Sequence, residues 1–443
     1  MLNKFLNWVR GKEEPSAQSS VSIDFGRYSD NNKVPGKVRR WKEADNLFKE
    51  KNYAASVDAF FDYLKDDAIQ NVRYIRNGDT ATFELFQGSK VIRGEIRENR
   101  LSADVKLALM PEPSVPVMRR LLEMNFGLYY SRFALNNNEL CMRFDTDLNT
   151  ANPNKLYYGL KELATKSDKQ DDLLIEDFTH LEAVDQEHIT PLSDAEKQVK
   201  YDFLQNWIKE TLEKIAEVDA DKFSGGISYL LLSLVYRIDF LITPEGQLLN
   251  LLEKIGAIYF KKDERSIVDK NREMIEAFRE LQAKPKEEIF KNLFRSKYTF
   301  SIVTPQVHKV MADAIHEANE NMLWYRDNGY DYFANKLMEY GLSYCQYSYS
   351  LPKPITLLIR LFMQVNYPAF FSALGYNEVY FDTASKRFKE EAIIKYIRTV
   401  EGQWRERYPY MSFRTDGLNF SGLTAFNNSF TTQIEKLNMD IPA

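Results

Sequence analysis

The chain has few cysteines and few histidines, the side chains most often used for metal binding and redox chemistry. Its two cysteines, Cys141 and Cys345, are far apart and match none of the paired spacings of a zinc site or a redox pair. Reduced thiols fit this pattern best, so the sequence predicts a cytoplasmic protein.

Long uninterrupted apolar runs are also absent. Polar residues such as Lys4 and Arg10 break up the apolar residues among the first ten, so we expect no export through a cleaved signal peptide. The most apolar stretch, residues 227–242, contains Arg237 and Asp239. It therefore predicts a buried core helix rather than a membrane span.

The sequence has no excess of positive charge. Its formal net charge is -5 and its pI is about 5.7, so it lacks the basic surplus needed to neutralise phosphates. We therefore expect no nucleic acid as principal ligand. With 443 residues, of which 44% are hydrophobic, the chain is long enough for two or three domains.

The N-terminal segment, residues 1–36, predicts a short amphipathic helix and a flexible linker. Apolar residues recur at helical spacing in residues 1–10, and a polar stretch comes after them. The helix would either dock on a membrane or partner, or pack on its own protein or fray. We expect membrane association only through residues 1–10.

Residues 41–67 resemble one tetratricopeptide-like helical hairpin, with a turn at Lys51 and Asn52. Small and large residues stand where that repeat packs its helices: Ala44, Leu47, Phe48, Tyr53, Ser56, Phe60 and Tyr63. No second copy occurs at the expected period, whereas stable arrays need about three units. The hairpin is therefore expected to pack on the module that comes after it in the chain.

After residue 70 the apolar residues no longer recur at helical spacing but alternate with polar ones, as they do in β-strands. Asn77-Gly78, Gln87-Gly88-Ser89 and Glu98-Asn99-Arg100 mark tight turns of an antiparallel meander. The next elements are a helix at residues 117–125, two strands joined at residues 136–138 and a helix at residues 154–166.

This order resembles the type III secretion chaperone-like fold, and especially the YbjN family of bacterial proteins. The matching segments are the helix VMRRLLEMNFGL, the strand pair YYSRFALNNNELCMRFDTDL and the helix KLYYGLKELATKSDK, within about residues 70–170. The resemblance implies a small non-enzymatic α+β module, often dimeric, that holds extended segments of partner proteins. It supplies no catalytic residue.

The helix at residues 117–125 is amphipathic and provides the candidate interaction face. Met118, Leu121, Leu122 and Phe126 are the apolar residues that we expect to form a homodimer or partner face. We assign residues 37–190 to the helical hairpin and the secretion chaperone-like α+β domain.

Residues 191–443 predict a mostly α-helical domain. Its helices are expected at residues 225–242, 245–261, 264–283, 285–295, 305–327, 328–347, 354–364 and 384–404, after a first helix from Asp194. The aromatic-rich tail is expected to wrap over the surface. Tyrosines are dense around residues 324–349, which indicates core packing or a partner-binding groove.

No motif in the sequence predicts a catalytic, metal or cofactor residue. His308 and His316 lie about 80° apart around a helix with 3.6 residues per turn, so they do not converge on one metal ion. Residues 145–156 lack the glycine and the glutamate of a calcium loop. Ser224-Gly225-Gly226 has no lysine after it and fails as a phosphate loop.

The leading hypothesis is therefore a non-enzymatic protein-binding adaptor or chaperone-like protein. The alternative is an enzyme of another class with its site in the C-terminal helical domain, which would use residues such as His308, Glu317 and a tyrosine.

Overall fold

The computed structural model describes residues 23–441 and has 57% helix and 14% strand. One antiparallel sheet is followed by many helices, which confirms the predicted α+β fold class. The amphipathic helix predicted at residues 1–10 lies outside the described residues.

A helical hairpin opens the fold, as the sequence predicts. Helix α1 (Pro35–Lys49) and helix α2 (Tyr53–Leu64) meet at a turn in which Lys51 has a φ of 64°. Ser56 Oγ donates a 2.7 Å hydrogen bond to the Ala44 carbonyl, which holds the two helices close together. The hairpin packs into the core of the sheet module.

The main sheet has seven strands in the order β1-β2-β3-β4-β6-β5, with β7 paired to β4. Positive φ angles at Gly78, Gly88, Asn99 and Asn137 form the predicted hairpin turns. The strands are β1 (Val72–Asn77), β2 (Thr80–Gln87), β3 (Lys90–Arg97), β4 (Arg100–Leu109), β5 (Arg132–Asn136), β6 (Glu139–Asp147) and β7 (Glu182–Ala183).

Two further helices complete the sheet module: α3 (Val115–Asn125) and α4 (Pro153–Asp177). Asn152 caps α4, because its Oδ1 accepts a 2.9 Å hydrogen bond from the Lys155 amide. Helix α4 runs eleven residues beyond the predicted end at 166. Its later turns bury Ser167 and Asp171, polar residues that gave no apolar pattern.

The helical domain begins after β8 (Thr190–Pro191), which pairs with β9 (Phe294–Arg295) later in the chain. Strands β10 (Phe381–Asp382) and β11 (Arg387–Phe388) form another short pair. The helices are α5 (Asp194–Ala216), α6 (Ser224–Arg237), α7 (Gly246–Phe260), α8 (Ile267–Ala283), α9 (Lys286–Lys291), α10 (His308–Asp327), α11 (Asp331–Ser348), α12 (Lys353–Asn366), α13 (Pro368–Ala373), α14 (Glu390–Trp404) and α15 (Leu423–Glu435).

Helix α6 continues into a π-helical turn, Ile238–Ile242. The joined run Ser224–Ile242 is long and apolar enough to cross a membrane by length and composition, but 89% of it is buried inside the protein. This burial confirms the core helix that the sequence predicts.

The prediction that the C-terminal tail wraps over the surface is wrong for its last part. Helix α15 lies in the core of the helical domain, with Phe426, Phe430 and Ile434 fully buried. These residues recur every four positions and lie on one face of the helix. Because this face is apolar, its burial requires no desolvation of polar groups.

The predicted flexible linker also needs correction for residues 23–34, the part that the structure describes. Ile23 and Phe25 are buried in the core of the helical domain, and Ser29 Oγ lies 2.8 Å from Ser350 Oγ. This segment is therefore packed against the domain that comes later in the chain.

The two modules are interlocked by a segment that runs from β9 to Ser301. Phe300 belongs to the helical domain in sequence but is fully buried in the core of the sheet module. Gln87 Oε1 accepts hydrogen bonds from the Thr299 amide at 3.2 Å and the Phe300 amide at 3.0 Å. The core of the sheet module therefore includes a residue of this segment, which lies outside the predicted boundary of the module at residue 190.

Candidate functional site

The structure divides the four predicted interface residues between the two sides of α3. Leu121 is 3% exposed and lies in the core of the sheet module, and Met118 is partly buried against that core. Leu122 is 63% exposed and Phe126, which comes directly after the helix, is 94% exposed. The assignment of Leu121 to the outer face is therefore wrong, whereas Leu122 and Phe126 do face solvent.

An exposed apolar surface begins on α3 and continues into the next loop. We call it the α3 patch; its members are Val115, Leu122, Phe126, Tyr129 and Tyr130. Phe126 and Tyr129, at 94% and 91%, are the most exposed large hydrophobic side chains within residues 23–441. Several exposed large apolar side chains on one helix and the loop after it are typical of an interaction site in a soluble protein.

The loop that carries the two tyrosines is held by one carboxylate on α4. Glu162 accepts hydrogen bonds from the Tyr129 amide at 2.8 Å, the Tyr130 amide at 2.9 Å and the Ser131 amide at 2.8 Å. Ser131 Oγ donates a fourth at 2.7 Å. Burial opposes ionisation of this carboxyl, but the hydrogen bonds outweigh burial and lower the pKa of Glu162 below its usual value.

The edge strand β5 lies beside the patch, and a side chain occupies its outer edge. Asn125 Oδ1 accepts a 2.7 Å hydrogen bond from the Phe133 amide, on the side of β5 away from β6. An added strand would have to displace this bond. The geometry therefore favours docking through side chains of the patch over pairing with β5.

Positive charge borders the patch. Arg119 and Arg120 are exposed on α3, and neither forms an ion pair with any residue in the part of the chain that the structure describes. Glu123 is the exposed acidic residue on the same helix. A partner with acidic side chains around an apolar centre would complement this rim.

The face of the sheet that the helices leave open carries a row of alternating charges across five strands. Register places Arg73, Glu84, Arg93, Asp104 and Arg143 side by side. Glu84 lies 2.9 Å from Arg73 and 3.5 Å from Arg93, and Asp104 lies 3.9 Å from Arg143. Because these charges form ion pairs with one another at the surface, this face is a solvated surface. It is therefore a weaker candidate for docking than the α3 patch.

The helical domain contains a buried cluster of charges around Glu339. Arg237 Nε donates to Glu339 Oε1 at 2.6 Å, and Lys336 Nζ lies 3.1 Å from Glu339 Oε2. Tyr367 Oη also donates to Glu339 Oε2 and accepts from Lys336 Nζ at 2.5 Å. Burial, together with the nearby Arg237, lowers the pKa of Lys336 to about 8, although Glu339 opposes the change.

His308, which the enzymatic alternative would use, and His316 both contact the end of α15. His308 Nε2 lies 3.3 Å from the Glu435 carbonyl oxygen, and His316 Nδ1 lies 3.1 Å from Glu435 Oε1. Glu317 is exposed. Across residues 23–441, no group of three His, Cys, Asp or Glu side chains is arranged to hold a metal ion.

Neither cysteine is placed for nucleophilic chemistry. Both are buried, and burial raises the pKa of the Cys141 and Cys345 thiols. A reactive thiol needs the opposite environment, one that lowers its pKa.

The dense tyrosines form a packed layer in the helical domain. Tyr332, Tyr340, Tyr344, Tyr347 and Tyr349 are partly buried against its core. Trp324 and Tyr330 stack with their ring centroids 5.9 Å apart at a more exposed position. Core packing accounts for most of this region, and a partner groove there stays a prediction.

No known protein-family model matches the chain. No curated protein matches it in a sequence search either.

Proposed function

We propose that the protein is a non-enzymatic adaptor that binds a segment of another protein through the α3 patch. The observation that carries this proposal is the exposure of Phe126 and Tyr129 on a surface held in place by Glu162. Exposed aromatic side chains on a fixed backbone contribute strongly to protein binding because little conformational entropy is lost.

The chemistry around the patch defines the partner. We infer an amphipathic segment, such as a helix, that covers Leu122 and Phe126 with apolar side chains and faces Arg119 and Arg120 with acidic ones. The resemblance of the module to secretion chaperone-like proteins supports a binding role of this kind. The two buried free thiols support the cytoplasmic location that we propose with it.

A site-specific cross-linking experiment tests the proposal. The full chain carries a photo-reactive amino acid at position 126, or at the exposed control position Val307, in the organism of origin. We expect a discrete partner product from position 126 that Leu122→Ser and Arg119→Glu both reduce, and no such product from position 307. Equal products from both positions, or none from position 126, would refute the proposal.

The same experiment distinguishes a partner from a second copy of the chain. A product of twice the chain mass, together with a dimer in sedimentation velocity that Phe126→Ser dissociates, assigns the patch to self-association. A monomer with a heterologous product assigns it to the adaptor role.

A further inference from the structure

A small cavity in the helical domain lies between α6, α7 and α11 and is remote in sequence from the α3 patch. Its volume is about 240 Å³, and the rings of Tyr236, Phe260 and Tyr347 line it. The centroids of Tyr236 and Tyr347 lie 5.0 Å apart. Aromatic faces are negative, so a cavity walled by them attracts cations.

Two carboxylates line the same cavity. Asp239 is placed inward by the π-helical turn, a distortion that often occurs at functional sites, and Glu253 lies on α7. Asp239 Oδ1 accepts both hydrogen bonds from Arg27, and Glu253 Oε2 pairs with Lys169 at 3.2 Å. The second oxygen of each carboxylate makes no hydrogen bond with any residue in the range 23–441.

The hydroxyl of a buried tyrosine that lines the cavity lies close to another lining residue. Tyr236 is 3% exposed, and its Oη makes no hydrogen bond to another described residue. A Cβ atom added to Gly256, another lining residue, would lie 4.0 Å from this oxygen. The cavity therefore combines aromatic faces with oxygen atoms that the protein itself leaves available as acceptors.

We propose that this cavity binds a small organic cation, an alkylammonium group whose carbon atoms contact the aromatic rings and whose nitrogen faces Asp239 and Glu253. Its size suits a single ammonium head with a short chain. Such a group occurs in a free amine and at the end of a lysine side chain, so the test must separate these sources.

Gly256 allows the cavity to be narrowed without disturbing the fold. It lies within α7, and an added Cβ would meet Val235 Cγ1 at 3.5 Å, an ordinary contact. Gly256→Ala therefore improves helix propensity while it reduces the cavity, and Gly256→Leu fills more of it. Gly402→Ala on α14, where a Cβ would meet nothing within 4 Å, is the matched control.

The experiment measures binding to the full chain by calorimetry or ligand-observed NMR at constant ionic strength. The probes are tetramethylammonium, n-butylammonium, n-butanol as the neutral counterpart of n-butylammonium, and lysine capped at both termini. The variants are Gly256→Ala, Gly256→Leu and Glu253→Gln. Glu176→Gln, which alters a half-exposed carboxylate paired with Lys254, is the charge control.

We expect the ammonium probes to bind wild-type protein and both control variants equally. Glu253→Gln should weaken binding about tenfold, and the Gly256 series should weaken it progressively, while melting temperatures stay at or above that of the wild type for Gly256→Ala. Binding of n-butylammonium without capped lysine indicates a free amine, and binding of both indicates a lysine side chain as well. Equal binding of n-butanol and n-butylammonium, no binding by any ammonium probe, or unchanged binding by Gly256→Leu would overturn the proposal.

Discussion

Lys336 lies in a buried cluster in which one carboxylate, that of Glu339, serves two cations. Its pKa is about 8 in the folded protein, below the ordinary lysine value of 10.5. Between these pH values the unfolded chain binds more protons at this site than the folded protein does. The free energy of unfolding therefore rises with pH across this interval.

This pH dependence can be assigned to Lys336 by substitution. We expect stability of the wild type, measured by urea unfolding, to rise from pH 8 towards pH 10 with a contribution of up to about 1.4 kcal/mol per pH unit from this site. Lys336→Met should reduce that slope, while Lys309→Met, at a largely exposed lysine, should not. Lys200, whose burial also lowers its pKa to about 8, should contribute a slope of the same sign that remains in Lys336→Met. Identical slopes for wild type and Lys336→Met would contradict the assignment.

Neighbouring residues on α3 provide a second test, because Leu121 is buried and Leu122 is exposed. Leu121→Ala should lower the free energy of unfolding by about 2–5 kcal/mol, since it opens a cavity in the sheet module. Leu122→Ala should change it by less than about 0.5 kcal/mol. Thermal or urea unfolding of the two variants measures the difference. Similar losses for both would contradict the difference in burial, and a larger loss for Leu122→Ala would show that α3 packs on the opposite face.

The sequence located α3 but could not choose between its apolar faces. Val117 and Leu121 form one apolar row, and Leu122 and Phe126 form another, so both faces satisfy the helical pattern. The position of the sheet decides which row is buried. In the same way, Lys336 and Glu339 are neighbours on one helix, but Arg237 is about a hundred residues away and leaves no local signal.

Among the elements, the strands of the main sheet were the most predictable. Their turns need positive φ angles, and Gly78, Gly88, Asn99 and Asn137 are residue types that adopt them readily. Helix α15 was missed because Asn, Ser and Thr surround its apolar residues and have weak helix propensity. Burial of Phe426 and Phe430 stabilises this helix, and that burial depends on partners elsewhere in the chain.

The loop that carries Tyr129 depends on a contact between elements. Glu162→Gln on α4 should weaken the hydrogen bonds to the amides of residues 129–131, because a charged acceptor becomes a neutral one. We expect faster hydrogen exchange at these amides and reduced cross-linking from position 126. The loss should be about 1–3 kcal/mol of local stability.

Glu123→Gln, at an exposed carboxylate on α3, is the control for this effect. Acid should reproduce the substitution: the folded pKa of Glu162 is lowered, so its stabilisation is present above the ordinary glutamate pKa and is lost as pH falls through the folded value. Unchanged amide exchange in Glu162→Gln would show that the carboxylate does not hold the loop.

At the scale of the whole molecule, each of the two cores contains residues from outside its own part of the sequence, and we call this arrangement the exchange. Phe300 completes the sheet module, while Ile23 and Phe25 pack in the helical domain. The composition of the sequence and the spacing of its apolar residues indicated a change of module near residue 190, where the chain passes from strands to helices. They could not indicate the exchange, because contacts between residues more than 200 positions apart leave no periodic pattern.

This exchange predicts that the modules unfold together. Phe300→Ala should lower the free energy of unfolding by about 3–5 kcal/mol and should expose amides of β2 and β3 as well as those of the helical domain. Ile302→Ala, in the same segment but at an exposed position, should have little effect. Hydrogen exchange followed by mass spectrometry reports both modules in one measurement.

A fragment of residues 23–190 provides the complementary test. It contains all seven strands of the main sheet but lacks Phe300 and the backbone groups that pair with Gln87. An unfilled core position and a buried, unpaired amide both destabilise a fold, so the fragment should be poorly folded alone. Adding a peptide of residues 292–303 should restore structure measured by circular dichroism. A fragment that is fully folded without the peptide would show that the segment docks on an already complete module.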